Sequence, residues 1–400
     1  MSVPGTVWYA LRIDVMTRSY RIPLFKPNLT DADISSVVDV IKSGQLVCGH
    51  MSEAFERQLA SYLDVRYAVC VSSGTAALHL GLLALGIGRG DEVIVPAFGH
   101  PAGANAVELC GARVIFVDSG ADDFNIDTRI IENSITANTR AVMVVHNFGR
   151  PCEMNPVQAL SAKYGLPIIE DAACALGSSI GRARCGNLGC LAALSFHPGE
   201  ILTTGEGGAV VTDDPFLAER VRELRNHGLV SGKTVEFLIP GFNYRMGEIQ
   251  AAMGVSQMKR FKATLGARIR AAENYDRALS KIEYMSTRFE KAIRKTNYQT
   301  YVTLVKDGLR DRLAAFLGEK GIEAGIRTYS VPHTAYYSEK YRYGVFDFPN
   351  SLNYCRNLIG LPLFDGISLH EQEEVTAALH DFGSGMKCKP ATELWVEQAS

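Results

Sequence analysis

The sequence predicts an α/β fold: a large domain built on a mostly parallel sheet, then a small C-terminal α+β domain. Three observations lead there. Between residues 31 and 228, helix-period segments alternate with short apolar runs and turn signals, the pattern of a parallel sheet with helices on both faces. The runs are continuously apolar, as strands covered on both sides are. After about residue 290 the alternation gives way to strand, helix, strand.

Taken in order, DADISSVVDVIKSG (31–44) opens with an Asp cap and stops at Gly44. MSEAFERQLASYL (51–63) carries apolar residues at helical spacing. YAVCV (67–71) is a buried strand, and SSGTAALHLGLLAL starts the next helix. EVIVP (92–96), ARVIFVD (112–118), AVMVV (141–145) and PIIED (167–171) are further strands, separated by helical stretches near 102–110, 128–134 and 155–164. PFLAERVRELRNHG, from Pro215, reads as a surface helix, and 246–279 as one long helical connector. YQTYVTLV, RDRLAAFLGEKG and IEAGIRTY form strand, helix and strand, and 371–382 closes the chain as a helix. The expected organisation is an N-terminal extension (1–22), a large cofactor-binding domain (23–245), a connecting helical stretch (246–285), a small domain (286–382) and a tail (383–400).

The 400 residues are 47% hydrophobic and 21% charged, an ordinary globular composition, long enough for two domains. A formal net charge of −2 supplies no positive field for nucleic acid. No run of 18 or more apolar residues exists, so no membrane span is expected. The N-terminus has no clean signal-peptide core. Among nine cysteines, Cys185 and Cys190 form C-x4-C without a second pair, which disfavours an iron–sulfur cluster. No metal site is expected, and reduced thiols in the cytoplasm are the reading adopted.

Several segments carry chemistry. Ser73-Gly74-Thr75 lies between a strand and a helix, where backbone N–H groups and a glycine allow a phosphate to approach. The same turn also suits a plain helix start. Asp171 ends the strand PIIED within EDAACALGS. PAFGHPAGANA (96–106), SFHPGEILTTGEGG (195–208), GFNYRMGEIQAA (241–252) and IEAGIRTYSVPHTAYY (322–337) complete the set.

Together these segments resemble the DegT/DnrJ/StrS family, vitamin-B6-dependent aminotransferases that act on sugars and aminocyclitols, from about Pro23 to Phe382. The resemblance implies a fold-type I aminotransferase-like large domain. It implies a cofactor phosphate on Gly74, Thr75 and Ser195, and Asp171 paired with the protonated pyridine nitrogen. It places Asn243 and Arg245 toward the neighbouring subunit's phosphate, so a homodimer with shared active sites is expected. Arg327 and His333 fall on the substrate side, Arg327 in place of a frequent histidine. His100 stands where an aromatic ring commonly stacks on the cofactor, and Cys174 where a glutamine commonly meets the ring hydroxyl.

The largest departure is Glu200. The family's landmarks flank it without a gap, yet it stands where the lysine belongs. A carboxylate cannot condense with the cofactor aldehyde, so PLP or PMP would be held non-covalently. The first reading is lysine-free dehydratase-type chemistry on a keto-sugar, expected to be nucleotide-linked, with Glu200 as a base whose pKa is raised by burial. Histidine at this position in dehydrating relatives, and departures at 99, 100, 174 and 327, motivate it. The alternative is a sugar or aminocyclitol aminotransferase whose cofactor lysine has been replaced by Glu200. A second alternative is a catalytically dead homologue acting as a partner protein.

Overall fold

The computed structural model describes residues 19–230, 236–286, 294–306, 308–326 and 328–387. Most of the expected N-terminal extension and of the tail lie outside these residues. A seven-stranded sheet forms the centre. Its strands are β1 (Tyr67–Val71), β2 (Glu92–Pro96), β3 (Arg113–Val117), β4 (Thr139–Val145), β5 (Ile168–Asp171), β6 (Leu191–Ser195) and β7 (Gly208–Thr212). Their spatial order is β1-β7-β6-β5-β4-β2-β3. Only β7 runs against the rest, pairing antiparallel with β1 and β6. The strands β6 and β7 were not among those expected from the sequence. Both flank the glycine-rich turn that dominates that stretch.

Helices cover both faces. α1 (Asp31–Ser43) is capped by Thr30 and not by an Asp: the Thr30 N–H and hydroxyl both donate to Asp33. It ends at Gly44, whose φ of 70° suits glycine. α2 (His50–Leu63), α3 (Gly74–Ala84), α4 (Ala102–Leu109), α5 (Met154–Tyr164) and α6 (Pro215–Arg225) follow. Ser73 caps α3 by accepting the Ala76 N–H, and Asp214 caps α6. One core cluster packs α3, α4 and α6 on the sheet, including Leu78, Leu80, Val93 and Val221. A second buries Phe55, Leu59, Leu194 and Phe196 under α2.

Three expectations need correction. The stretch 128–134 holds only a 3-10 turn, Ile131–Ser134. The connector 246–279 is two helices, α7 (Glu248–Met258) and α8 (Phe261–Leu279). No proline or glycine marks the break. Arg260, in the break ahead of α8, donates to Asp33 on α1 at 2.8 and 2.6 Å, a tie invisible in local sequence. The segment 322–329 is not a strand of the small sheet. That sheet is β8 (Met285–Ser286), β9 (Tyr301–Val305) and β10 (Leu358–Leu361), all antiparallel. Gly325 instead exchanges two backbone hydrogen bonds with Gly360, and Tyr329–Ser330 pairs with Phe98–Gly99 beside the large sheet.

The small sheet packs on α8, α9 (Arg310–Glu319) and α10 (Leu369–Lys387) through Tyr275, Leu313, Leu361 and Val375. The closing helix is longer than its expected 371–382. No helix among the described residues is long and apolar enough to cross a membrane.

Candidate active site

The carboxyl ends of the parallel strands converge on one place, the usual ligand position of such sheets. β1 delivers the Ser73–Gly74 turn. β6 ends at Ser195, which its antiparallel neighbour sets opposite Gly208. The three chains touch: a Cβ on Gly74 would lie 2.9 Å from Ser195 Cβ, and one on Gly208 only 2.4 Å from the Ser73 carbonyl. Glycine is therefore required at both positions. Thr75 follows, exposed, in the first turn of α3. A phosphate suits this cradle: free N–H groups at a helix start, a hydroxyl and no intervening Cβ.

β5 ends at Asp171, which is buried. Its carboxylate accepts a hydrogen bond from the Ala173 N–H at 3.1 Å. Burial pushes its pKa up to about 6, an effect that Ala173 and His146 only partly offset. A cationic ring nitrogen would supply the missing counter-charge, so the vitamin-B6 group fits here too. The preceding residue points to the other face of the strand. There Glu170 accepts N–H bonds from Gly186, Leu188 and Gly189 and meets His146 Nε2 at 2.9 Å. Cys152 N–H donates to His146 Nδ1, which leaves Nε2–H to donate to Glu170. This fully buried pair was not singled out in the sequence. It clamps the loop after β5 and carries no open face.

Glu200 sits in the loop between β6 and β7. The loop is pinned throughout: Glu200 N–H donates to the His197 carbonyl, and Thr204 N–H to the Phe196 carbonyl. Gln257 on α7 brackets Thr203 through both its N–H and its carbonyl, and Gln299 donates to the Gly199 carbonyl. Glu200 Oε1 lies 3.9 Å from Cys174 Sγ. The side chain keeps a small opening but is otherwise enclosed by protein. That enclosure is the main cause of a pKa raised to about 8; the Asp171 charge adds to it, and Arg268 and Cys174 oppose it. Burial also pushes the Cys174 thiol well up, so it remains protonated. The Asp171 and Glu200 carboxyls thus lie close enough for one charge to act on the other, and burial holds both above their usual range.

The other expected residues are placed as follows. His100 follows the Phe98–Gly99 bridge and accepts the Ala102 N–H through Nδ1. Burial and then the His197 charge lower its pKa, favouring a neutral ring. Asn243 is exposed, and Arg245 donates to Asn226 at 2.6 Å. Their segment bonds to the end of β1 through Ser72 N–H and the Tyr244 carbonyl. His333 is brought toward His100 by the Tyr329–Ser330 bridge, but both its nitrogens are engaged, with Ser330 Oγ and the Gly344 carbonyl. Arg327 lies outside the described residues. Arg268 of α8 was missed: it is buried near Glu200, and nothing in its local sequence sets it apart.

Comparison with known proteins identifies the family. Residues 27–380 match the DegT/DnrJ/EryC1/StrS aminotransferase family. The GDP-perosamine synthase of Caulobacter vibrioides is 39% identical over 280 residues, covering 69% of this chain and 76% of that protein. The spore coat polysaccharide biosynthesis protein SpsC of Bacillus subtilis is 32% identical over 386 residues, covering 93% and 99%. Among solved structures, Spr1654 of Streptococcus pneumoniae in its PLP-form superposes with a TM-score of 0.86 at 26% identity, covering 92% and 99%. It is also known in a PMP-form. With a match over most of its length and a fold-type I architecture, the chain belongs to the DegT/DnrJ/EryC1/StrS family of PLP-dependent sugar aminotransferases.

Proposed function

We propose that this protein is a cytoplasmic, homodimeric vitamin-B6 enzyme that aminates a nucleotide-linked keto-sugar, with Glu200 in place of the family lysine. The observation that carries the reading is Glu200 itself, enclosed beside Asp171 and Cys174 with a pKa near 8. The relatives, a GDP-perosamine synthase among them, favour amination over the dehydration expected first from the sequence.

Gly74, Thr75 and Ser195 would hold the cofactor phosphate, and Asp171 the ring nitrogen. His100 would cover the ring, with Cys174 at its edge. Asn243 and Arg245 would reach the other subunit's phosphate, and Arg327 and His333 would face the sugar. When bound, the cofactor supplies an electron sink for charge developing on the substrate carbon. No covalent bond to the chain holds it. Glu200, ionised in part near pH 8, would accept the proton that the amine form of the cofactor gives up and deliver it to the former carbonyl carbon of the sugar, the task lysine has in relatives. Asp171, the stronger acid, stays ionised and keeps the ring cationic.

Dehydration is the second reading. A carboxyl with a pKa near 8 is mostly protonated at pH 7, and so can protonate a departing hydroxyl. The test is a mass-spectrometric assay of purified protein with PMP and GDP- or UDP-linked keto-sugars. An amino-sugar product absent in Glu200→Gln supports amination. Release of water without amine supports dehydration. Neither product, and no binding of PLP or PMP, overturns both readings.

A further inference from the structure

Glu200 borders two distinct surroundings. On one side stand Asp171 and Cys174. On the other is a polar crevice, lined by Glu200, Thr264, Arg268, Arg260 and Asp365, that reaches the surface at Lys26. Its inner volume is about 20 Å³. That is room for about one water, which needs roughly 10–15 Å³ by the same measure. It is too small for a sugar or an amino acid.

Arg268 is the deepest cation of this crevice and is almost wholly buried. Nε and Nη2 are spent on the carbonyls of Tyr298, Gln299 and Leu363, which fixes the guanidinium plane. Nη1 makes no protein hydrogen bond among the described residues and is not a buried unsatisfied atom, so it opens to the crevice. Arg268 and Glu200 form no direct ion pair among the described residues, yet each shifts the other's acidity. Charges acting across a polar gap of this size suit a bridging water. Arg260 is committed to Asp33, and Asp365 to Asn28 and Thr264. The titratable and charged groups facing Glu200 are therefore Asp171, Cys174 and Arg268, with Lys26, Arg260 and Asp365 farther out.

We infer that Arg268 is a positioning residue for Glu200: across a water-sized crevice it steadies the carboxylate and gives it a route to bulk protons separate from the Asp171 side. The inference rests on Glu200 being the proton-transfer group. A proton that Glu200 takes up passes to the crevice water, which releases one outward at Lys26. The carboxylate is regenerated and no charge accumulates. The next proton returns by the same path.

The test uses cofactor-free protein, so it stands apart from any sugar turnover. Infrared difference spectra against Glu200→Gln follow the Glu200 carboxyl through a pH titration. Loss of the Arg268 charge in Arg268→Gln should raise the midpoint by about one unit or more, whereas Arg268→Lys should nearly preserve it. An unmoved midpoint in Arg268→Gln overturns the inference. Should that variant not fold, Thr264→Leu fills the crevice. Protonation of Glu200 after a pH jump should then slow about tenfold or more, because the water site is lost. An unchanged rate overturns the inference.

Discussion

Cys174 presents its sulfur to Glu200, Sγ to Oε1 at 3.9 Å, near enough to Asp171 for that charge to act on Glu200. A protonated thiol against a carboxylate is a weak donor contact. It leaves burial and the Asp171 charge to dominate Glu200, so the carboxyl is a poor acid in the folded chain and an ordinary one when unfolded.

Glu200→Gln removes that proton carrier at nearly constant volume. Turnover should fall by about 10²–10⁴-fold, the usual size of a lost general acid–base group. The dissociation constant for PMP, measured by fluorescence, should change little. Loss of PMP binding together with activity would show that Glu200 holds the cofactor instead.

Stability of the cofactor-free protein should depend on pH through the same group. Its folded pKa of about 8 exceeds the unfolded value of 4.5, so the native state binds more protons between these values. Stability is fully present below pH 4.5 and falls as pH rises toward 8. Asp171, raised to about 6, adds a decline between about pH 4 and 6. Thermal melts from pH 6 to 8.5 should show the decline in the wild type and a flatter curve in Glu200→Gln. Parallel curves would remove Glu200 as the cause.

Gly208→Ala places a Cβ 2.4 Å from the Ser73 carbonyl, a backbone atom that cannot step aside cheaply. Forced shifts of this kind cost about 1–3 kcal/mol. The melting temperature should drop, and PLP affinity with it, because the displaced turn carries Gly74. A variant with wild-type affinity would mean that the turn does not bind the phosphate.

Shared sites make a mixing prediction. If Arg245 serves the neighbouring subunit, Arg245→Ala and Asp171→Ala damage sites contributed by different chains. Equal mixing with subunit exchange makes half of the dimers mixed, each with one intact site, so about a quarter of wild-type activity should return. No recovery, despite exchange proved by mass spectrometry, would place both residues in one chain's site.

Much of this protein was legible in the sequence because its signals are local. The runs at 67–71, 92–96 and 167–171 became strands at or within one residue of those limits, since a run buried on both faces has no alternation to confuse it. The family was legible because motifs around Gly74, Asp171, Ser195 and Glu200 occur at strand ends, where neighbouring residues in sequence are also neighbours in the site. The tertiary structure alone decided the rest. Arg260, in the break between α7 and α8, meets Asp33 of α1, more than 200 residues away in sequence. The role of Glu170 depends on three N–H groups folded back from 186–189. The acidity of Glu200 depends on Asp171 and Cys174 from the segment after β5 and on Arg268 from α8, both far from it in sequence. That Glu200 stands where the family resemblance expects a lysine is a reading of register. What that glutamate can do is an electrostatic property of its surroundings, which exist only once α8 has packed against the loop after β6.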